Sequence, residues 1–207
     1  GQANGRGIGE GENAVGSAID VPWGEAGTLR LELPSNLDVR ASDVVWPDLN
    51  GTIGNYPTAL AQAISQPLGG MALENLVRAD ARVAIVVDDP SRWTPVREAL
   101  PVVLHRLLAL GVRREAISIS IGVGRHHAVE PAAMKRRLGD EVVRDYECHS
   151  PPVDDLSAYD DLGTTPLGIP VRVFRPVAQA DLRILIGSVL PHLQAGFGGG
   201  YKLIFPG

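Results

Sequence analysis

Three features of the sequence predict an α/β fold, a Rossmann-like three-layer domain with a mostly parallel sheet. First, residues 82–87 form a continuous apolar run, as expected of a strand covered on both faces, and 117–123 and 180–186 read as further strands. Second, a helical apolar stripe lies between the first two, and strands alternating with helices imply a parallel sheet. Third, each run breaks into a polar, turn-forming loop, and in open α/β sheets ligands sit beyond the carboxyl ends of the strands.

Residues 1–18 are rich in Gly, Asn and Glu without periodicity and read as a flexible tail. The domain proper is then 19–207, beginning with a small β-containing segment. Residues 28–33 alternate Leu29, Leu31 and Leu33 inward, a half-buried strand ending at Pro34, and 39–46 suggest a second extended piece. Pro57 opens a helix through Leu60, Ala61 and Ile64, which Pro67-Leu68-Gly69-Gly70 closes. Strand 82–87 delivers Asp88-Asp89-Pro90-Ser91-Arg92-Trp93-Thr94-Pro95 to its carboxyl end. Residues 95–110 form a helix with Val96, Leu100, Val103, Leu104, Leu107 and Leu108 as its core stripe and Gly111 as its stop. Strand 117–123 delivers Gly124-Arg125-His126-His127. A short helix over 131–138 ends at Gly139, and 141–146 leads into another strand. Residues 154–165 read as a polar, turn-rich loop, 171–174 as a short strand, and 180–186 as the strand that feeds the last loop.

At 207 residues the chain can build a substantial core, and its composition, 44% hydrophobic and 21% charged, is that of a soluble globular protein. No apolar run has the length of a membrane span. A net charge of −5 argues against a nucleic-acid footprint. The single cysteine, Cys148, excludes an internal disulfide and fits a reducing, cytoplasmic setting. His149 beside it points to the other face of a strand, so Cys148 reads as a structural thiol. His105, within a helix, also reads as structural.

The chemistry concentrates in the three loops. The last begins at Pro191-His192 and runs through Gly196, Gly198, Gly199 and Gly200 to Lys202. Glycines let the backbone approach a ligand, and successive free N–H groups make an anion cradle. It is not a Walker A loop, because Tyr201 and Leu203 replace the glycine and hydroxyl residue that flank the lysine there. Lys202 is one of only two lysines among 19 basic residues, so it reads either as a plain counter-charge or as an amine wanted for its nucleophilicity. His126 and His192, on separate strand-end loops, form a plausible acid/base pair. Arg92 reads as a bidentate carboxylate or phosphate grip or as a partner for Asp88 or Asp89, and Asp-Pro-Ser-Arg also has the makings of a simple turn. No spacing points to a metal site within the chain.

Taken in order, Asp89-Pro90-Ser91-Arg92-Trp93-Thr94-Pro95, Gly124-Arg125-His126, Gly163-Thr164-Thr165 and 191–207 resemble the amino-terminal domain of the nickel-pincer-dependent lactate racemase family. The resemblance runs from about Thr28 to the last residue, and the final motif is the most specific. It implies a two-domain protein with a pyridinium mononucleotide between the domains, its two sulfur-bearing arms and ring carbon holding nickel. Lys202 then matches the lysine that carries the cofactor covalently, with Gly196, Gly198, Gly199, Gly200 and Asp89 around it. His126 and His192 match the catalytic acid/base pair, and Arg92 matches an arginine that holds the substrate carboxylate. The expected activity is racemisation or epimerisation of a small 2-hydroxy acid by reversible hydride transfer. The nickel histidine is expected on a carboxyl-terminal domain that this chain does not include, so the chain alone is expected to be inactive.

The sequence departs from the family at Trp93, Arg125, His127, Gly198 and Tyr201, which leaves open lactate or a bulkier or more polar acid. A second reading is a non-catalytic Rossmann-like domain that binds a mononucleotide or phosphate. A nicotinamide-dependent oxidoreductase is disfavoured by the missing GxGxxG.

Overall fold

A computed structural model describes residues 18–23, 27–37, 39, 53–124 and 126–206. The tail expected over 1–18 lies outside these apart from Ala18, as does the extended piece expected over 39–46 apart from Val39. The chain divides into two compact units, residues 1–52 and 53–207.

In the first unit, β1 (Ala18–Trp23) and β2 (Gly27–Glu32) pair as an antiparallel hairpin, with Leu29 opposite Val21 and Leu31 opposite Ile19. The predicted strand is present, but Leu29 and Leu31 are 39% and 43% exposed. A two-stranded hairpin has no second layer of its own under which to bury them. The strand β1 begins at Ala18, one residue inside the expected tail.

The second unit opens with α1 (Tyr56–Ser65) and a short α2 (Leu73–Leu76). Asn55 caps α1 by accepting the Thr58 N–H at 3.0 Å, and Pro57 sits in the first turn, where its missing N–H costs nothing. There follow β3 (Val83–Asp88), α3 (Val96–Ala109), β4 (Ile117–Gly122), α4 (Pro131–Leu138), α5 (Asp140–Asp145) and β5 (Glu147–His149). The chain then makes a hairpin of β6 (Tyr159–Thr164) and β7 (Pro170–Phe174), a short α6 (Arg175–Ala178), β8 (Leu182–Ile186), a two-residue pair β9 (Pro191–His192) and β10 (Gly196–Phe197), and a closing 3-10 turn, Gly200–Leu203.

Four strands form one sheet in the order β5-β4-β3-β8, every pair parallel. The central β3 is buried along its whole length, as its unbroken apolar run requires. One face carries Val83, Ile85, Val87, Ile117, Ile119 and Ile121 against Val96, Ala99, Leu100, Val103, Leu104 and Leu107 of α3. Leu108 is partly exposed and falls off this stripe, while Ala99, which the pattern passed over, is fully buried. The other face is thinner: Ala84 and Val86 meet Val173, Val177 and Ala180, with Leu203 and Ile204 packed alongside.

One expectation needs correction. Residues 154–165 are not a loop throughout, because 159–164 form β6 and pair with β7. Their strand character comes from that partner, since Asp160 and Asp161 carry no apolar alternation. For the same reason β7 belongs to this separate hairpin and not to the parallel sheet. The segment 141–146 does lead into a strand, by way of α5.

Cys148 packs within β5 with its thiol 3.8 Å from the Val142 carbonyl oxygen, and burial, then the neighbouring Glu147 charge, push it up to about 11. His149 lies edge-on to Phe174. Among the described residues no helix is long and apolar enough to cross a membrane.

Two measurements check this packing. Leu107→Ala removes a fully buried side chain from the α3 face, and denaturant unfolding is expected to show a loss of about 3 kcal/mol. At pH 8 the folded chain's thiol is expected to react with a thiol reagent roughly 100-fold more slowly than that of the unfolded chain, because so little thiolate is present.

Candidate functional site

Parallel pairing puts the carboxyl ends of β3, β4 and β8 side by side, so the loops after Asp88, Gly122 and Ile186 open on one edge of the sheet. Their side chains line a cavity of about 450 Å³, which includes Asp88, Asp89, Arg92, His126, His192 and Lys202. The sequence-derived acid/base, arginine and lysine candidates therefore converge. Of the four loop glycines, Gly198 and Gly199 line the cavity, whereas Gly196 lies in the β9–β10 hairpin and Gly200 opens the final turn. The Gly198 N–H is already given to the Leu190 carbonyl at 2.8 Å, so the segment is a braced hairpin more than a row of free donors. A second, separate cavity of about 310 Å³ lies beyond Leu203 and Pro206, and none of the candidates reaches it.

The loop after β3 is fixed by its own sequence. Asp89-Pro90-Ser91-Arg92 closes a turn, with the Arg92 N–H given to the Asp89 carbonyl at 3.1 Å and the Ser91 N–H to Asp89 Oδ1 at 2.8 Å. The turn reading of this motif is correct. Asp89 Oδ2 faces His126 Nδ1 at 3.1 Å and the Arg92 Nε at 4.0 Å. Burial alone would raise the Asp89 carboxyl, but the Ser91 hydroxyl and amide, then His126 and Arg92, outweigh it and hold it below the usual range. Asp89 is thus ionised wherever histidine titrates.

Asp88 is the neighbour with the structural task. Its carboxylate accepts from Thr94 Oγ1 at 2.5 Å, from the Ser188 N–H at 3.2 Å and from the guanidinium of Arg137. Arg137, at the end of α4, also donates to the backbone carbonyls of Asp88 at 3.2 Å, Arg92 at 3.0 Å and Thr94 at 2.9 Å. The two side chains are only 10% and 7% exposed. One guanidinium therefore clamps the loop after β3 from below, and one carboxylate ties that loop to the start of the last one. Sequence reading missed Arg137, Thr94 and Ser188. Lys135-Arg136-Arg137 looks like any basic helix end, and nothing local distinguishes its third member.

The last loop owes its path to three glycines. Gly122 and Gly187 end β4 and follow β8 without side chains. A Cβ on Gly122 would lie 3.0 Å from the Leu203 carbonyl oxygen, and one on Gly187 2.9 Å from a Leu203 methyl. Leu203 seats there, which places Lys202 at the cavity. Gly199 has φ 79°, and a Cβ on it would sit 2.1 Å from the Ser188 carbonyl oxygen, so only glycine fits. The Lys202 ammonium donates to the carbonyl oxygens of Phe197 and Ala195. His192 accepts the Gln194 N–H at Nδ1, 3.2 Å away. Among the described residues no group of three or more His, Cys, Asp or Glu stands close enough to hold a metal ion.

The chain matches the lactate racemase N-terminal domain family over residues 26–207. A lactate racemase of Thermoanaerobacterium thermosaccharolyticum is 26% identical over 195 residues, covering 91% of this chain and 44% of that protein. A lactate racemase of Lactiplantibacillus plantarum is 28% identical over 146 residues, covering 70% of this chain and 34% of that protein. Among solved structures, the lactate racemase apoprotein of T. thermosaccharolyticum superposes with a TM-score of 0.70 at 25% identity, over 92% of this chain and 43% of that one. A Thermotoga maritima protein with a TM-score of 0.59 at 20% identity shares the fold. The chain spans less than half the length of these relatives.

Two substitutions test the framework of the site. Arg137→Met strands the buried Asp88 carboxylate and is expected to cost about 3–5 kcal/mol of stability in denaturant titration. Gly199→Ala is expected to shift the backbone amide resonances of 188–202 while leaving those of β3 and α3 in place.

Proposed function

We propose a function from one premise: this chain belongs to the lactate racemase N-terminal domain family, which it matches over residues 26–207. It is the amino-terminal, cofactor-binding and catalytic half of a 2-hydroxyacid racemase or epimerase of the nickel-pincer type. The observation that carries this reading is the convergence of His126, His192, Arg92 and Lys202 on one cavity.

The residues present fit such a nucleotide. The cavity is of the size that holds a small cofactor with its substrate. Gly199 keeps the wall beside Lys202 free of a side chain that would collide with the Ser188 carbonyl. Among the described residues Lys202 is the one primary amine lining the cavity, and it is the residue proposed to carry the cofactor covalently. When bound, the nucleotide supplies a hydride acceptor. Gly198 and Gly199 bound the space around it.

The chain's own residues do the rest. Arg92 offers a guanidinium to the substrate carboxylate, a planar pairing that fixes the 2-carbon. His126 and His192, from loops after different strands, are placed to take the hydroxyl proton on one face and return it on the other. Trp93, Leu193 and Tyr201 flank these residues and are almost fully exposed. Such a rim suits burial under the carboxyl-terminal portion of the family's relatives, which is proposed to bring the nickel histidine. The chain alone is accordingly expected to lack turnover.

Racemisation of 2-hydroxy acids by the two-domain protein tests the reading. His126→Ala and His192→Ala are each expected to lower kcat by roughly 100-fold or more while nucleotide remains bound. Retention of nucleotide with no turnover in any form, the unsubstituted protein included, supports the non-catalytic binding module instead.

A further inference from the structure

The two histidines are held by partners of opposite hydrogen-bonding sense. His126 Nδ1 faces a carboxylate oxygen, Asp89 Oδ2, at 3.1 Å, whereas His192 Nδ1 faces a backbone donor, the Gln194 N–H, at 3.2 Å. An ionised carboxylate only accepts and a backbone N–H only donates. A neutral His126 must therefore carry its proton on Nδ1, which leaves a lone pair on Nε2. A neutral His192 must carry its proton on Nε2 and has no lone pair there.

We infer that Asp89 is the positioning residue for His126, and that it makes His126, and not His192, the base of the resting site. Asp89 is suited to this. Its Oδ1 is taken by the Ser91 N–H, it is buried, and its remaining oxygen is aimed at the imidazole. Arg92, beside it, is a cation that favours an ionised Asp89, and Lys202 lines the same cavity. In the first proton transfer the substrate O–H bond breaks, its electron pair stays on oxygen, and an N–H bond forms at His126 Nε2. The resulting imidazolium keeps its Nδ1–H on Asp89, which stabilises the charge. His192 becomes a base at Nε2 only after it releases the Gln194 N–H, so the two proton carriers enter turnover from unequal states. The catalytic consequence rests on the racemase reading; the tautomers do not.

Substitution of Asp89 by asparagine gives a specific test, because Ser91 decides which way the amide turns. The Ser91 N–H holds the Asn oxygen at the Oδ1 position, which puts the NH2 group opposite His126 Nδ1 as a donor. Two-bond ¹H–¹⁵N spectra of the labelled chain, on the alkaline side of neutrality, read the tautomer directly. The His126 signals are identified by their loss in His126→Gln. The expected result is Nδ1–H for His126 and Nε2–H for His192 in the unsubstituted chain, with His126 switching to Nε2–H in Asp89→Asn while the amide spectrum of the sheet is unchanged. In the two-domain enzyme the same substitution is expected to lower kcat by roughly 10³-fold with KM altered only a few-fold and nucleotide retained. An Nε2–H tautomer for His126 in the unsubstituted chain, or no switch in Asp89→Asn, overturns the inference whether or not the enzyme racemises. Loss of nucleotide in Asp89→Asn without a tautomer switch overturns it in favour of a cofactor contact. Absence of racemisation in the unsubstituted two-domain enzyme overturns the catalytic reading and leaves the tautomer result to stand or fall alone.

Discussion

The buried pair of Asp88 and Arg137 is the interaction on which the rest of the site depends. Asp88 is the last residue of the central strand, and its carboxylate meets the loop that follows, a helix 49 residues on, and the amide of Ser188, 100 residues on. A charge with this little exposure is costly to bury unless every lone pair is used, and here each oxygen has a partner. Arg137 uses its fork in the same way, on three carbonyls and a carboxylate. Such pairs add little net stability compared with apolar packing, but they fix one arrangement. What this one fixes is the distance between the loop of Asp89 and Arg92 and the loop that leads to His192 and Lys202.

The opposite wall of the cavity is set by absence of side chains. Gly122 and Gly187 let Leu203 settle onto the strand ends, and Gly199 lets the backbone pass against Ser188. Leu203 belongs at once to the thinner core of the sheet and to the cavity wall. The lysine before it is therefore held by hydrophobic packing on one side and by the carbonyls of the β9–β10 hairpin on the other.

Much of this was legible in the sequence, for a physical reason. Strand β3 is buried along its whole length, so its apolar run announces it, and parallel pairing with β4 and β8 then forces their terminal loops together. That is why Arg92, His126, His192 and Lys202, which the sequence singles out, line one cavity. What the sequence concealed depends on distant partners. Strand β6, with Asp160 and Asp161 in it, is a strand because β7 pairs with it. Leu108 fits the helical stripe by spacing yet is 36% exposed. Arg137 differs in no local way from Arg136. Asp89 was visible as a polar residue in a strand-end loop, but only the 3.1 Å contact shows that it addresses a histidine.

The central claim is that these loops form a cofactor site with Lys202 as its covalent anchor. The most direct measurement is the mass of the peptide containing Lys202, from protein isolated from cells that make the pincer nucleotide. The account predicts an added nucleotide mass on Lys202 that disappears in Lys202→Arg. An unmodified Lys202 in protein from such cells would contradict it.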